Sequence, residues 1–502
     1  MTPLFTTDHL RAIEQAAGTA GLMEKAGLAA ATLARDLVGD GTAILVFVGP
    51  GNNGGDALIA ARCLKAWWFK VSVVFLGNRD RLPADAAAAM DAWLAVGGTI
   101  ELGIPRGRFD LVIDGLFGIG LSKPLQNEYA ELVNKINALS LPVLALDVPS
   151  GLCADSGRVL GLAVRASHTL SFLGPKPGLF TLDGPDHAGQ VHVTDLGVTL
   201  KTPSPIAGEG RGKGVTSPGA LIDSPPAWPA ARLNNAHKGN FGSAGILGGD
   251  SSMVGAALMA ARAALLVGAG RVYAGLLDKQ TLAVDPMQPE LMIKQSTELL
   301  GLDHLTALVV GPGMGRSAGA ICDLQRALKL PLPLLLDADA LHLLAANADL
   351  REQLRCRANG NIVTPHPGEA AALLGGSVAE IQANRIQSAL KIAADYHAIT
   401  VLKGCGTIIA TPDGRWFINA SGNPGMSVAG MGDVLCGLIV GLIAQGMDCE
   451  NACLLGVYLH GAAGDALATD IGMIGLTASE VALTARAILN GWMREQRDRK
   501  NV

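Results

Sequence analysis

A chain of 502 residues is too long for one ordinary core, so two domains, at most three, are expected. With 49% hydrophobic and 17% charged residues, the composition fits a globular protein rich in buried parallel strands. A net charge of -5 argues against a nucleic-acid or membrane-surface partner.

The opening residues, MTPLFTTDHL, carry acid and no apolar run, so no signal peptide is expected. Short apolar runs then alternate with helical patterns. Strands are predicted at 43–48, 71–76, 110–114, 142–147 and 168–173, with a helix such as 56–67 between them, which is βαβ patterning. The stretch 199–230 is rich in proline, contains GEGRGKG and reads as a linker. The pattern resumes with strands near 244–248, 271–276, 307–310, 333–337, 361–364 and 399–403. The halves do not repeat each other's motifs. Two different α/β domains are therefore expected, at 1–205 and 231–502, joined by a linker at 206–230.

The most apolar helical stretches contain Arg262 or stop at Gln445 and Asp448, too short to span a bilayer. The eight cysteines are scattered without metal-ligand spacing, and buried free thiols in a reducing compartment are expected. Trp67, Trp68 and Trp93 fall on helical segments and read as core or interface packing. A soluble, cytoplasmic protein is the expectation.

In open α/β sheets ligands bind beyond the carboxyl ends of strands, and that is where the motifs fall. After the first βαβ strand comes GPGNNGGDALIAARCL, residues 49–64. Gly49, Gly51 and Gly54 match GxGxxG, a weak signal alone. Asn52, Asn53 and Asp56 stand where that fingerprint wants small packing residues, and no acid closes strand 71–76 to bind a ribose. A plain dehydrogenase is the weaker reading. Glycines there let amides approach an anion, and Asn and Asp oxygens suit a hard cation. Two further acids, Asp114 in VIDGLFGIGLSKP and Asp147 in ALDVPSGLCADSG, end strands beside Gly-rich sequence. One such Asp is usually a cap or turn former; three favour a site.

The second half carries HKGNFGSAGILGGD, GPGMG (311–315), LLLDADALHLL (334–344), VTPHPGEAAALL (363–374), VLKGCGT (401–407) and GNPGMSVAGMGDVLCG (422–437). The last runs a Gly-rich loop into an apolar helix at 434–444 with Asp433 at its mouth. A helix start of this kind suits a phosphate, and Asp433 can take the proton of an attacking hydroxyl. Lys403 offers a point charge for phosphate, and His366 stands in a loop stiffened by Pro365 and Pro367. His342 reads as structural, and Asp337 and Asp339 stay outside the candidate site.

GNNGGD, DGLFGIGLSKP, LDVPSGL and the LMEKAG segment at 22–27 resemble the NAD(P)H-hydrate epimerase family. GxGD, TPHPGE, DADAL and GNPGM resemble the ADP-dependent NAD(P)H-hydrate dehydratases of the ribokinase-like fold, and fusion of the two is a family hallmark. The resemblance implies a Rossmann-like three-layer αβα domain followed by a ribokinase-like α/β domain. In the first, it implies substrate binding by Asn52, Asn53, Gly54, Gly55, Asp56, Asp147 and the loop Gly118, Ile119, Gly120, Leu121, Ser122, Lys123 and Pro124. It also implies a potassium ion on Asn53, Asp114 and Ser150. In the second, it implies substrate contacts from Ala244, Gly313, His366 and Asp433, and ADP held by Lys403, Gly404, Cys405, Gly406, Thr407 and Gly432.

Asp147 and Asp433 are the catalytic candidates. Magnesium would accompany the nucleotide, and NADHX, NADPHX and ADP are the expected small molecules, with assembly as a homo-oligomer. Ala57, Ile119, Ser427, Val428 and Met431 depart from the family pattern without removing a proposed ligand. The residues themselves leave three matters open: ADP or ATP as donor, a small-molecule kinase in the second domain, and a non-catalytic nucleotide-binding module in the first.

Overall fold

The computed structural model describes residues 1–18, 21–39, 41–198, 219–278 and 283–500. The chain forms two compact units, Pro3–Gly219 and Ala220–Val502, the latter joined by Met1–Thr2.

The first unit is built on seven strands in the spatial order Ile100–Glu101, Lys70–Phe75, Ala43–Val48, Leu111–Gly115, Val143–Leu146, His168–Phe172 and Gln190–Thr194. Every pairing is parallel. Val, Ile and Leu fill the central strands because both faces are covered, so no polar alternation is needed. Strand order reverses between Ala43–Val48 and Leu111–Gly115. That switch point opens a crevice, and GNNGGD and DGLFG leave its two sides.

The second unit holds the larger sheet, with its own reversal where Ser243–Gly248 lies between Arg271–Leu276 and Ala307–Val310. Parallel strands Leu334–Leu336, Asn361–Val363 and Ile399–Leu402 follow. Ile408–Ala410 and Trp416–Asn419 then add antiparallel pairings, a hairpin that the βαβ reading does not contain. The helix Met431–Ala444 packs tightly on Val254–Leu266: a Cβ on Gly437 would lie 2.1 Å from the Ala260 carbonyl oxygen. This close approach fixes where the helix begins and therefore where Asp433 stands.

The boundary of the second domain needs correction. Gly219–Ile222, inside the expected linker, is a fully buried strand pairing in parallel with Trp416–Asn419, so the second unit begins at Ala220, not 231. Four apolar residues between prolines are too few to show periodicity. The end of the first domain at 205, and GEGRGKG, lie outside the described residues. At the other end, the Met1 amino group meets Asp223 at 3.2 Å and Thr2 donates to the same carboxylate at 2.5 Å, which places the first two residues with the second unit.

None of the eight cysteines is in a disulfide, and only Cys436 and Cys453 are buried; Cys322, Cys356 and Cys405 are exposed. Trp93 is a core residue as expected, whereas Trp68 is 87% exposed. Among the described residues no helix is long and apolar enough to cross a membrane.

Candidate functional site

In the first unit, loops at the switch point enclose a cavity of about 510 Å³. Asn52, Asn53, Asp56, Asp147 and the loop residues Gly118, Ile119, Gly120 and Leu121 line it. Ser122, Lys123 and Pro124 are exposed and lie off its wall. Gly54 and Gly55 also stay out of it, contrary to expectation. Their amides donate to the Gly51 carbonyl at 3.1 and 3.3 Å, as the first turn of the helix Asn52–Ala66. A Cβ on Gly54 would lie 2.1 Å from the Gly49 carbonyl oxygen, and one on Gly55 would lie 2.5 Å from the Met23 sulfur. Both glycines are needed for chain crossing and helix packing.

Asp147 follows strand Val143–Leu146 with φ 69°, a left-handed conformation that an aspartate adopts at some cost. Its Oδ1 pairs with the Lys176 ammonium at 2.5 Å and its Oδ2 accepts from the Ile119 amide at 2.9 Å. Lys176 is fully buried and also donates to Ser171 Oγ at 3.0 Å and the Phe172 carbonyl at 2.8 Å. A buried lysine needs such partners. Lys176 lines the cavity and sequence reasoning missed it; a lysine between two prolines after a strand, GPKPGL, was the signal.

Behind this pair lies a set of buried oxygens. Asp114 accepts from Ser150 Oγ at 2.6 Å and from the Ser150 amide at 2.9 Å. Burial nevertheless raises its carboxyl above the usual value, the hydrogen bonds from Ser150 and Leu116 opposing it. Asn53 is buried with neither side-chain atom hydrogen-bonded. An orphaned carboxamide costs about 1–3 kcal/mol. It adjoins Asp147 across Gly118, whose missing Cβ would lie 2.7 Å from Asp147 Oδ2 and 3.4 Å from Asn53 Cγ. An orphaned carbonyl oxygen and a buried carboxylate suit a monovalent cation.

In the second unit the candidate residues come mostly from loops at the carboxyl ends of the parallel strands. Lys403 lies at the centre, 2.6 Å from Asp337 Oδ1 and 3.8 Å from Glu369 Oε2. Burial alone would lower its ammonium, but Asp337 and Glu369 hold it above the ordinary lysine value. Burial likewise pushes Asp337 up, yet Lys403, Thr364 and Cys436 bring it below the usual carboxylate range. Gly432 leaves room for this pair: a Cβ there would lie 3.4 Å from Lys403 Nζ. Asp433 is the next residue, in the first turn of Met431–Ala444. Burial, then the charge of Asp337, raises it to about 7, with Lys403 opposing.

The turn after Ile399–Leu402 is shaped by Arg385, a buried side chain that sequence reasoning also missed. Its guanidinium donates to the carbonyls of Leu402, Lys403 and Gly406 at 3.3, 3.4 and 3.5 Å and to Gln382 Oε1 at 2.7 Å. Gly404, at φ 136°, lets the turn pass over it. Cys405 is exposed, and Thr407 Oγ1 donates to the Gly404 carbonyl at 3.0 Å. Replacing Arg385 by Met should leave those carbonyls unsatisfied. The expected result is a loss of about 2 kcal/mol of stability in thermal unfolding.

Three further candidate residues have local roles in the fold. His366 caps helix Pro367–Leu374, with Nδ1 accepting from the Gly368 and Glu369 amides at 3.0 and 3.2 Å, while its Nε2 lies 3.3 Å from Glu369 Oε1. Gly313 is held against Met253, its carbonyl accepting from the Asp250 amide at 2.7 Å. Ala244 does not face a ligand crevice at all. It is fully buried near the amino end of Ser243–Gly248, paired with Val272 and Ala307, and strand direction puts it away from the carboxyl-end loops. Asp337, set aside on sequence grounds, belongs at the centre. His460 joins it: Nε2 is buried without a partner, and burial, then the charge of Lys403, lowers the imidazole to about 4.

Two α/β sheets, one wholly parallel and one mixed, each bordered by a carboxylate held against a lysine, define a two-site α/β enzyme. Residues 244–486 match the family described as NAD(P)H-hydrate dehydratase, and residues 19–178 match the YjeF-related protein N-terminus. The bifunctional NAD(P)H-hydrate repair enzyme Nnr of Escherichia coli is 37% identical over 97% of this chain and 94% of its own. The enzyme of the same name from Coxiella burnetii is 38% identical over 98% of this chain and 100% of its own. A crystal structure of the ADP/ATP-dependent NAD(P)H-hydrate dehydratase of Bacillus subtilis, 30% identical, covers 53% of this chain and 94% of its own with a TM-score of 0.46. The chain belongs to the family of bifunctional NAD(P)H-hydrate repair enzymes.

Proposed function

We propose that the first unit interconverts the R and S epimers of NADHX and NADPHX, and that the second dehydrates the S epimer with ADP, yielding NAD(P)H, AMP and phosphate. The observation that carries this reading is the carboxylate–lysine pairing at both sheets: Asp147 with Lys176, and Asp337 with Lys403 beside Asp433.

In the first unit the carboxylate of Asp147 handles the proton of the C6 hydroxyl and stabilises a cationic ring. Asn53, Asp114 and Ser150 would hold potassium, as their orphaned and buried oxygens favour. When bound, the ion supplies positive charge beside the loop that carries the substrate. In the second unit Asp433 removes the proton of the C6 hydroxyl, and that oxygen attacks the β-phosphorus of ADP, releasing AMP. Lys403 and the first amides of Met431–Ala444 stabilise the phosphoryl oxygens. Phosphate then leaves C6, a proton leaves C5, and the ring double bond returns. Magnesium would arrive on the nucleotide's phosphates, which asks the protein for only one or two carboxylates.

The test is recovery of NADH absorbance from a mixture of R and S hydrate in a short assay. With ADP, the wild-type protein should recover the whole signal. Asp147→Ala should stop near half, since only the S epimer is consumed. Complete recovery by that variant at the wild-type rate would remove Asp147 from the reaction.

A further inference from the structure

We propose that Asp56 is a second catalytic residue of the first unit, the acid that protonates the departing C6 hydroxyl while Asp147 acts as the base. The proposal rests on the epimerase reading above and assigns the second half of its proton traffic.

Five charged side chains face the cavity: Arg11 and Glu14 from helix Thr7–Ala17, Asp56 from helix Asn52–Ala66, Asp147, and Lys176. The lysine is committed to Asp147, whose two oxygens both accept from donors. Arg11 lies between acids of its own helix, 3.9 Å from Asp8 and acting on Glu14. Asp56 has neither arrangement. Burial and two like charges, Asp147 and Glu14, act on it, and no donor or cation offsets them among the described residues. Its carboxyl is accordingly raised well above the usual value. One cavity thus holds three acids: Asp147 tied to a lysine, Glu14 raised by burial and Asp147 but opposed by Lys176 and Arg11, and Asp56 raised with nothing opposing it, which suits Asp56 for the acid's part and Asp147 for the base's.

Inversion at C6 uses both. Asp56 gives its proton to the C6 hydroxyl, the C6–O bond breaks, water leaves, and the N1 lone pair forms the N1–C6 double bond. Water then adds to the opposite face and Asp147 takes its proton. One C–O bond has broken and one has formed. The proton has moved from Asp56 to Asp147, so the cavity is left ready to run the reverse inversion.

The experiment uses the full chain without nucleotide, with R and S NADHX resolved chromatographically, for wild type, Asp56→Asn and Asp56→Glu across a pH series. Asp56→Asn should lower kcat by about 100-fold or more with little change in KM, and Asp56→Glu should restore part of it. The wild-type rate should fall at high pH as Asp56 ionises, and that fall should be missing from the residual Asp56→Asn rate. In water enriched in oxygen-18, each wild-type inversion should place one solvent oxygen at C6. Wild-type kcat in Asp56→Asn at the wild-type melting temperature, a change confined to KM, or retention of the original oxygen would each overturn the proposal. Failure of the wild-type protein itself to interconvert the two epimers under the same conditions would instead sink the epimerase reading.

Discussion

Asparagine at position 433 is expected to slow the ADP-dependent return of NADH absorbance by about 1,000-fold, while epimer interconversion by the same protein stays at the wild-type rate. The size follows from removing a general base, which typically costs about 100- to 10,000-fold. Asn keeps the volume and the helix start, so packing against Gly432 and the Lys403–Asp337 pair should persist. The pH dependence carries the sharper sign. A base works only when deprotonated, and Asp433 sits at about 7 because of burial and then the Asp337 charge. The wild-type rate should therefore climb tenfold per pH unit below about 7 and level off above it. The residual Asp433→Asn rate should be flat across that range. Asp337→Asn removes a charge that raises Asp433, so its rising limb should move to lower pH. A limb that stays in place in Asp337→Asn, or that survives in Asp433→Asn, would assign the titration to another group.

How much of this was legible beforehand depended on the range over which each feature is determined. Central strands such as Ala43–Val48 announced themselves because both of their faces are buried, which makes the run continuously apolar. Asp147 and Asp433 were legible because a carboxylate at a strand end or helix start beside glycine is a local pattern. Lys176 and Arg385 were not. Their importance comes from full burial and from partners brought together by the fold, and no window of sequence contains Lys403 and Asp337, 66 positions apart.

The glycines misled for a related reason. GNNGGD fits an anion cradle, yet Gly54 exists because the backbone at Gly49 passes where a Cβ would lie. Ala244 was carried over as a contact from the motif around it, while strand direction, a property of the whole sheet, placed it in the core.

Lys176→Met should strike both stability and epimerisation, and the two effects can be separated. The substitution keeps the length of the side chain and leaves Asp147 with only the Ile119 amide as donor. Stranding one member of a buried pair costs about 3–5 kcal/mol. Asp147 opens onto the cavity, so the lower end, about 3 kcal/mol, is expected as a drop in the melting temperature of the first unit. The ammonium also holds the Asp147 carboxyl in place at the cavity wall, and the epimerisation rate should fall by about 100-fold. Asp147→Asn combined with Lys176→Met leaves no charge to strand. The double variant should therefore regain most of the lost stability and none of the activity, a coupling that independent sites do not produce. If the double variant melts as low as the sum of the two single changes predicts, Lys176 is held by its contacts to Ser171 and Phe172, and the ion pair is not what places Asp147.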